Sequence, residues 1–141
     1  MAVRIRRAVV AVALALLMTA TALTGVAYAT LIGGTNEADV LDGTAKADQM
    51  GGYNGLDILW GRAGGDDQWG GAQSDEVYGE KGRDYVAGGA GNDRLSAGPG
   101  DDDVHSADGS PDDVYCGTGW DRVFADEDDD WIALSCEQVS Y

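Results

Sequence analysis

A chain of 141 residues with a formal net charge of −16 is sized for one small domain. So acidic a surface repels nucleic acid and anionic lipid, which excludes both as partners, and it attracts cations. One histidine in the whole chain, with no H-E-x-x-H and no G-x-S-x-G, leaves few candidates for general-base catalysis, so an enzyme is not expected.

Residues 1–29 read as a signal peptide. Arg4, Arg6 and Arg7 form a basic start, Val9 to Met18 is an apolar run, and Ala27-Tyr28-Ala29 is an A-x-A cleavage site before Thr30. A membrane anchor is the alternative, but no basic stop-transfer cluster follows, and no later stretch is long and apolar enough to span a bilayer. Cleavage removes three Arg and no acid, taking the formal charge from −16 to −19. The expected product is secreted, extracellular or associated with the cell wall, and free of the membrane.

From Gly34 onward the chain repeats every nine residues. Units begin at Gly34, Gly43, Gly52, Gly61, Gly70, Gly79, Gly88 and Ala97, and their sixth positions are Asp39, Asp48, Asp57, Asp66, Asp75, Asp84, Asp93 and Asp102. Only about one residue in six of the exported part is Asp, so composition does not explain eight hits in eight slots. Ser106 is one extra residue that resets the frame, after which Asp112, Asp121 and Asp130 fall on the same position. The eighth positions are Leu41, Met50, Leu59, Gln68, Val77, Val86, Leu95, Val104, Val114, Val123 and Ile132, and only Gln68 is not apolar. The best copy, Gly88–Ser96, reads G-G-x-G-x-D-x-U-x with U large and apolar, a pattern of parallel β-helices that bind Ca²⁺.

This spacing predicts an all-β parallel solenoid with two short-stranded sheets. A period of nine fits no helix, and each unit divides into a six-residue Gly-rich loop and a three-residue strand. Alternation along the strand sends the eighth position inward and the seventh and ninth outward. Two units make one coil, so the loops stack in two columns. The first carries Asp39, Asp57, Asp75 and Asp93; the second carries Asp48, Asp66, Asp84 and Asp102. At a strand spacing of about 4.8 Å, adjacent carboxylates repel by about 0.9 kcal/mol in water and about 3.5 kcal/mol at an effective dielectric of 20.

A dication between loops reverses that sign. Ca²⁺ suits the position because it accepts mixed carboxylate and carbonyl oxygens in flexible geometry, whereas Mg²⁺ demands a tight octahedron and Zn²⁺ wants His or Cys. Several Ca²⁺ ions are therefore expected. In the second column Gly61/Gly64/Asp66, Gly79/Gly82/Asp84 and Ala97/Gly100/Asp102 form two regular inter-loop sites. In the first, Gln73 replaces the fourth-position Gly between Gly55 and Gly91, and its sites are expected to be weaker. The thin core of one plug per unit falls short of the entropy of ordering the chain, so the chain is expected to fold only with calcium.

The chain thus divides into an N-terminal cap with degenerate repeats over 30–51, where Glu37 and Lys46 stand at the fourth position; regular repeats over 52–105; and divergent repeats with a C-terminal cap over 106–141. Cys116 and Cys136 lie in the exported part, where a disulfide is the economical reading and is worth roughly 3 kcal/mol for a loop of that length. A metal pair is the alternative, with His105 distant in sequence. Asp126, Asp128, Asp130 and Glu137 have EF-hand spacing, but Trp131 stands where that loop needs Gly.

Taken together, these residues resemble the RTX, or haemolysin-type, calcium-binding repeat proteins, over Gly34 to about Phe124. The resemblance implies a parallel right-handed β-roll and Ca²⁺ ligation by sixth-position Asp and loop carbonyls: here Asp57, Asp66, Asp75, Asp84, Asp93, Asp102 and Asp121, with Gly61, Gly64, Gly79, Gly82, Gly88, Gly91 and Gly100. Asp112 to Val139, with Cys116-Gly117 and Cys136-Glu137, is similar to the end of small secreted actinobacterial members. Pro111 and Ser106 argue against a metal at Asp112, and Ala125 to Ala133 is read as a cap.

Trp60, Trp69 and Tyr78 occupy ninth positions of consecutive units. Trp60 and Tyr78 are expected to be neighbours on one outer face, either as cross-strand packing or as a platform for a glycan or cell-wall partner. The protein is expected to act as a monomer.

Overall fold

The computed structural model describes residues 30–127 and 129–141; the signal-peptide reading and Asp128 of the EF-hand spacing lie outside the described residues. Among those described the chain is all β, with no helix. One sheet has seven strands in the order β1 (Thr30–Gly33), β3 (Asp48–Asn54), β5 (Asp67–Ala72), β7 (Tyr85–Ala90), β9 (Asp103–His105), β11 (Arg122–Phe124) and β13 (Gln138–Ser140). The other has six, in the order β2 (Val40–Asp42), β4 (Ile58–Trp60), β6 (Glu76–Tyr78), β8 (Arg94–Pro99), β10 (Asp113–Thr118) and β12 (Trp131–Ile132). Consecutive strands alternate between sheets and every pairing is parallel, so each pair of units is one coil of a solenoid.

The register follows the nine-residue period. Leu41 pairs with Leu59, Leu59 with Val77 and Val77 with Leu95 on one sheet. Met50 pairs with Gln68, Gln68 with Val86 and Val86 with Val104 on the other. A shift of one residue would turn every plug outward. Across the extra residue at Ser106 the step lengthens, with Leu95 opposite Val114 and Val104 opposite Val123.

The eighth positions form the core. All are buried except Ile132, which packs against the cluster half-exposed. Gln68 is fully buried too: its amide donates to the Tyr78 carbonyl at 3.1 Å, and its own carbonyl has no partner.

Strand length departs from expectation. β2, β4, β6, β9 and β11 have three residues, but β3, β5, β7, β8 and β10 run to six or seven. The ladder continues past the plug into the loop, pairing Tyr53 with Gly71 and Gly71 with Gly89. Backbone groups that would otherwise be buried unpaired find partners there. The Cys116–Cys136 disulfide is present, with Cα atoms 5.2 Å apart, and it ties β10 to the turn leading into β13.

Candidate metal centre

Each sixth-position Asp stands where a loop enters a strand, with its side chain turned inward. From Asp39 through Asp121 all ten are at most 5% exposed. From Asp57 onward, one carboxylate oxygen of each accepts the backbone N–H of the Asp one coil earlier. Asp39 donates to Asp57 at 2.7 Å, and the first ladder continues Asp57 to Asp75, Asp75 to Asp93 and Asp93 to Asp112 at 2.7–2.8 Å. The second runs Asp48 to Asp66, Asp66 to Asp84, Asp84 to Asp102 and Asp102 to Asp121 at 2.8–3.0 Å. Asp130 and Glu137 close the two ladders, accepting from Asp112 at 3.0 Å and Asp121 at 3.1 Å.

The other oxygen is left over. Oδ2 of Asp57, Asp66, Asp75, Asp84, Asp93, Asp102, Asp112 and Asp121 is buried without any hydrogen-bond partner. Buried polar atoms are almost always satisfied, so eight orphans in register are a property of the site. At the first units protein groups do the satisfying: Thr35 donates its N–H and hydroxyl to Asp39 Oδ2 at 2.6 and 2.8 Å, and Thr44 does the same for Asp48 at 2.7 and 2.9 Å. The unpartnered Oδ2 atoms are thus confined to Asp57 through Asp121, although Asp48 keeps a buried, unpartnered Oδ1.

Glycines make room for this arrangement. A methyl at Gly61, Gly70 or Gly79 would sit 2.6–2.8 Å from Oδ2 of its own loop's Asp. In the second column a methyl at Gly82, Gly100 or Gly119 would overlap the carbonyl oxygen of Gly64, Gly82 or Gly100, so these loops stack through fourth-position backbone. Gly64 and Gly82 take φ of 147° and 146°, which side chains other than glycine avoid.

Among the described residues no three acidic, His or Cys side chains converge on one point. The donors on offer are therefore one carboxylate oxygen per loop plus backbone carbonyls, an all-oxygen set that fits a hard cation and suits Ca²⁺ better than Zn²⁺. The family model described as RTX calcium-binding nonapeptide repeat (4 copies) matches residues 33–67, 69–104 and 78–111. The chain belongs to the RTX calcium-binding repeat family. No curated protein and no solved structure matches it.

RTX repeats bind calcium, and burial gives this RTX chain a reason to need a cation. Desolvation pushes Asp66 and Asp93 up to about 6, Asp75 and Asp102 to about 7 and Asp112 to about 8. The incoming N–H from the previous coil opposes the shift in each case, and nearby carboxylates add to it. Asp57, Asp84 and Asp121 are raised as well, again chiefly by burial. Such a row protonates or attracts positive charge.

The structure places Asp57, Asp75 and Asp93 in one column and Asp66, Asp84, Asp102 and Asp121 in the other. Gly61, Gly64, Gly79, Gly82 and Gly100 lie in the second column's loops, Gly88 and Gly91 in the first. Asp112, set aside in the sequence because of Pro111 and Ser106, has the same buried orphan as its neighbours. The extra residue is absorbed in the loop before it, where Gly109 takes φ 88° and Asp108 accepts the Gly91 N–H at 2.9 Å. Gln73 replaces a φ near 138° with 79°, so the first column's loop turns differently there.

Trp60 and Tyr78 do meet, stacked with centroids 6.3 Å apart. Trp69 instead begins a ladder on the opposite sheet, Trp69–Tyr85–His105–Phe124, with centroid steps of 5.6, 4.8 and 4.5 Å.

Proposed function

We propose that this RTX chain is a secreted protein in which ligation of several Ca²⁺ ions by its Gly- and Asp-rich loops drives folding of the β-roll. The observation that carries the reading is the register of eight buried, unpartnered Oδ2 atoms. The ligands assigned are Asp57, Asp66, Asp75, Asp84, Asp93, Asp102 and Asp121, joined by Asp112, with loop carbonyls at Gly61, Gly64, Gly79, Gly82, Gly88, Gly91 and Gly100. Bound Ca²⁺ neutralises the carboxylates and ties successive loops together. Its binding free energy then becomes folding free energy. The apolar start of the chain and the disulfide support export, since disulfides persist in oxidising compartments.

Circular dichroism of the cleaved protein tests this. We expect the β-signal to be lost in EDTA and restored by Ca²⁺ but not by Mg²⁺; an unchanged signal in chelator would refute it. Calorimetric titration then counts the ions.

A second reading, an extracellular adhesion or carbohydrate-binding module, is supported by the stacked pair Trp60 and Tyr78 on an outer face.

A further inference from the structure

Away from the aspartates, an open cleft of about 580 Å³ lies where the outer face of the six-stranded sheet turns into the second loop column. Arg62, Tyr78, Glu80, Lys81, Ser96 and Pro99 line it. Tyr78 forms one wall. Its hydroxyl is tied to Glu76 at 2.6 Å and its ring is backed by Trp60. The next residue in that outer row is Ser96, paired with Tyr78 across the strands. A small side chain there leaves the far face of the tyrosine uncovered.

The charges in and beside the cleft nearly cancel. Arg62 is held by Asp42 at 2.5 and 3.0 Å and lies 3.9 Å from Glu80. Lys81 is exposed. Two cations, Arg62 and Lys81, against three acids, Asp42, Glu80 and Glu76, leave only −1, in a chain whose net charge is −16. The groups presented are thus a ring face, a carboxylate, an ammonium and a hydroxyl, which suit an uncharged ligand rich in hydroxyls.

The backbone conformation is compatible with this use of the cleft. Arg62 and Glu80 hold φ of 80° and 68° at the second loop position, as Tyr53 does at 78° in the other column, where Gly71, Gly89, Gly98 and Gly117 stand elsewhere. Glycine would serve the turn without strain, yet these two loops keep side chains that line the cleft.

We propose that this cleft binds one uncharged hexopyranose unit of a glycan, with its apolar face on Tyr78 and its hydroxyls on Glu80, Lys81 and Ser96. This rests on the second reading above and names its ligand class and polar partners.

The test uses calcium-saturated protein, its fold checked by circular dichroism, titrated with cellohexaose, chitohexaose and a sulfated heparin hexasaccharide. Intrinsic fluorescence and calorimetry report binding. A neutral hexasaccharide should bind saturably, and Tyr78→Ala or Lys81→Ala should weaken it at least tenfold, whereas Trp69→Ala on the other sheet leaves it unchanged. Glu80→Gly should raise the melting temperature while weakening binding, a split that a purely structural residue would not produce. Neutral binding that survives Lys81→Ala and Glu80→Gly but is lost in Trp60→Ala would overturn the cleft and leave the aromatic platform. Absence of binding to both neutral sugars would overturn cleft and platform together. Preference for the sulfated sugar would overturn the uncharged ligand.

Discussion

The two loop columns repeat the same aspartate geometry with different surroundings. The second keeps glycine at its fourth position through Gly64, Gly82, Gly100 and Gly119, and its loops touch backbone to backbone. The first reads Gly55, Gln73, Gly91 and Ser110 at the corresponding places. Charge divides in the same way. Lys46, Arg62, Lys81 and Arg83 all lie in second-column loops, while the first column's loops hold no Lys or Arg. One edge of the solenoid is thus regular in backbone and mixed in charge, and the other is irregular and purely acidic. If loop carbonyls complete the cation's shell as proposed, aspartate register alone would not set how well a loop pair holds it, because the fourth-position backbone would have to match as well.

The sharpest way to break this comparison is to add a methyl to each column. Gly82→Ala would push a Cβ into the Gly64 carbonyl, and relief requires the stacked loops to separate. We expect a loss of more than about 3 kcal/mol and no calcium-induced folding at millimolar Ca²⁺. Gly91→Ala in the first column brings its methyl 2.5 Å from the Gln73 carbonyl, a less severe overlap beside a loop already altered, and should fold at raised calcium. Equal calcium midpoints for the two, read by circular dichroism, would show that the columns do not differ in packing.

Removing the carboxylates is next in size. Asp84 lies between two neighbours of its column, accepts the Asp66 N–H and carries an orphan oxygen. Asp39 sits at the first unit with its Oδ2 satisfied by Thr35. Asp84→Ala should cost about 3 kcal/mol of calcium-coupled stability and Asp39→Ala about 1 kcal/mol. A calcium titration of both variants decides; similar midpoints would contradict the division between capped and uncapped units.

Acid should act on the columns through the raised carboxyls. A group whose pKa is higher folded than unfolded stabilises the fold below its unfolded value, about 3.9 for Asp, and loses that contribution as pH rises through the folded value. The metal-free fold should therefore be most persistent at about pH 4 and weaken steadily as pH rises, the loss being complete between about 6 and 8, the range spanned by Asp66, Asp93, Asp75, Asp102 and Asp112. Calcium binding displaces those protons, so its midpoint should rise as pH falls. The first column holds the highest of these, Asp112, and its C-terminal loops should be the last to lose this protection as pH rises in EDTA. Amide exchange measured from pH 5 to 8 would show it.

Much of this architecture could be read from the chain because one period controls both the plug and the aspartate. The two sheets, their register and both aspartate columns follow from counting in nines. What escaped had weaker marks. The long strands arise from glycine backbone pairing, which has no side-chain signature. Asp112 lies behind Pro111 and an inserted residue, features that ordinarily end a repeat, yet its loop takes up the extra length. Thr35 and Thr44 act through hydrogen bonds four residues along to Asp39 and Asp48, visible only once those oxygens are known to point inward. The ladder from Trp69 to Phe124 was hidden because Tyr85 stands at a seventh position and meets its neighbours diagonally.

The smallest change works in the opposite direction and tests the first column by repairing it. Gln73 sits at φ 79° where Gly55 and Gly91 take 137° and 138°, so that loop is both strained and turned away from its neighbours' path by about 60°. Gln73→Gly removes a left-handed side chain worth about 1 kcal/mol of strain and frees the loop to adopt the φ of the loops on either side. If fourth-position backbone is what separates the columns, the calcium midpoint of this variant should fall several-fold, and first-column amides should approach the protection of the second. A gain in thermal stability without any change in calcium midpoint would mean that the glutamine costs strain alone and that the columns differ for another reason, the lack of cations in the first being the remaining distinction.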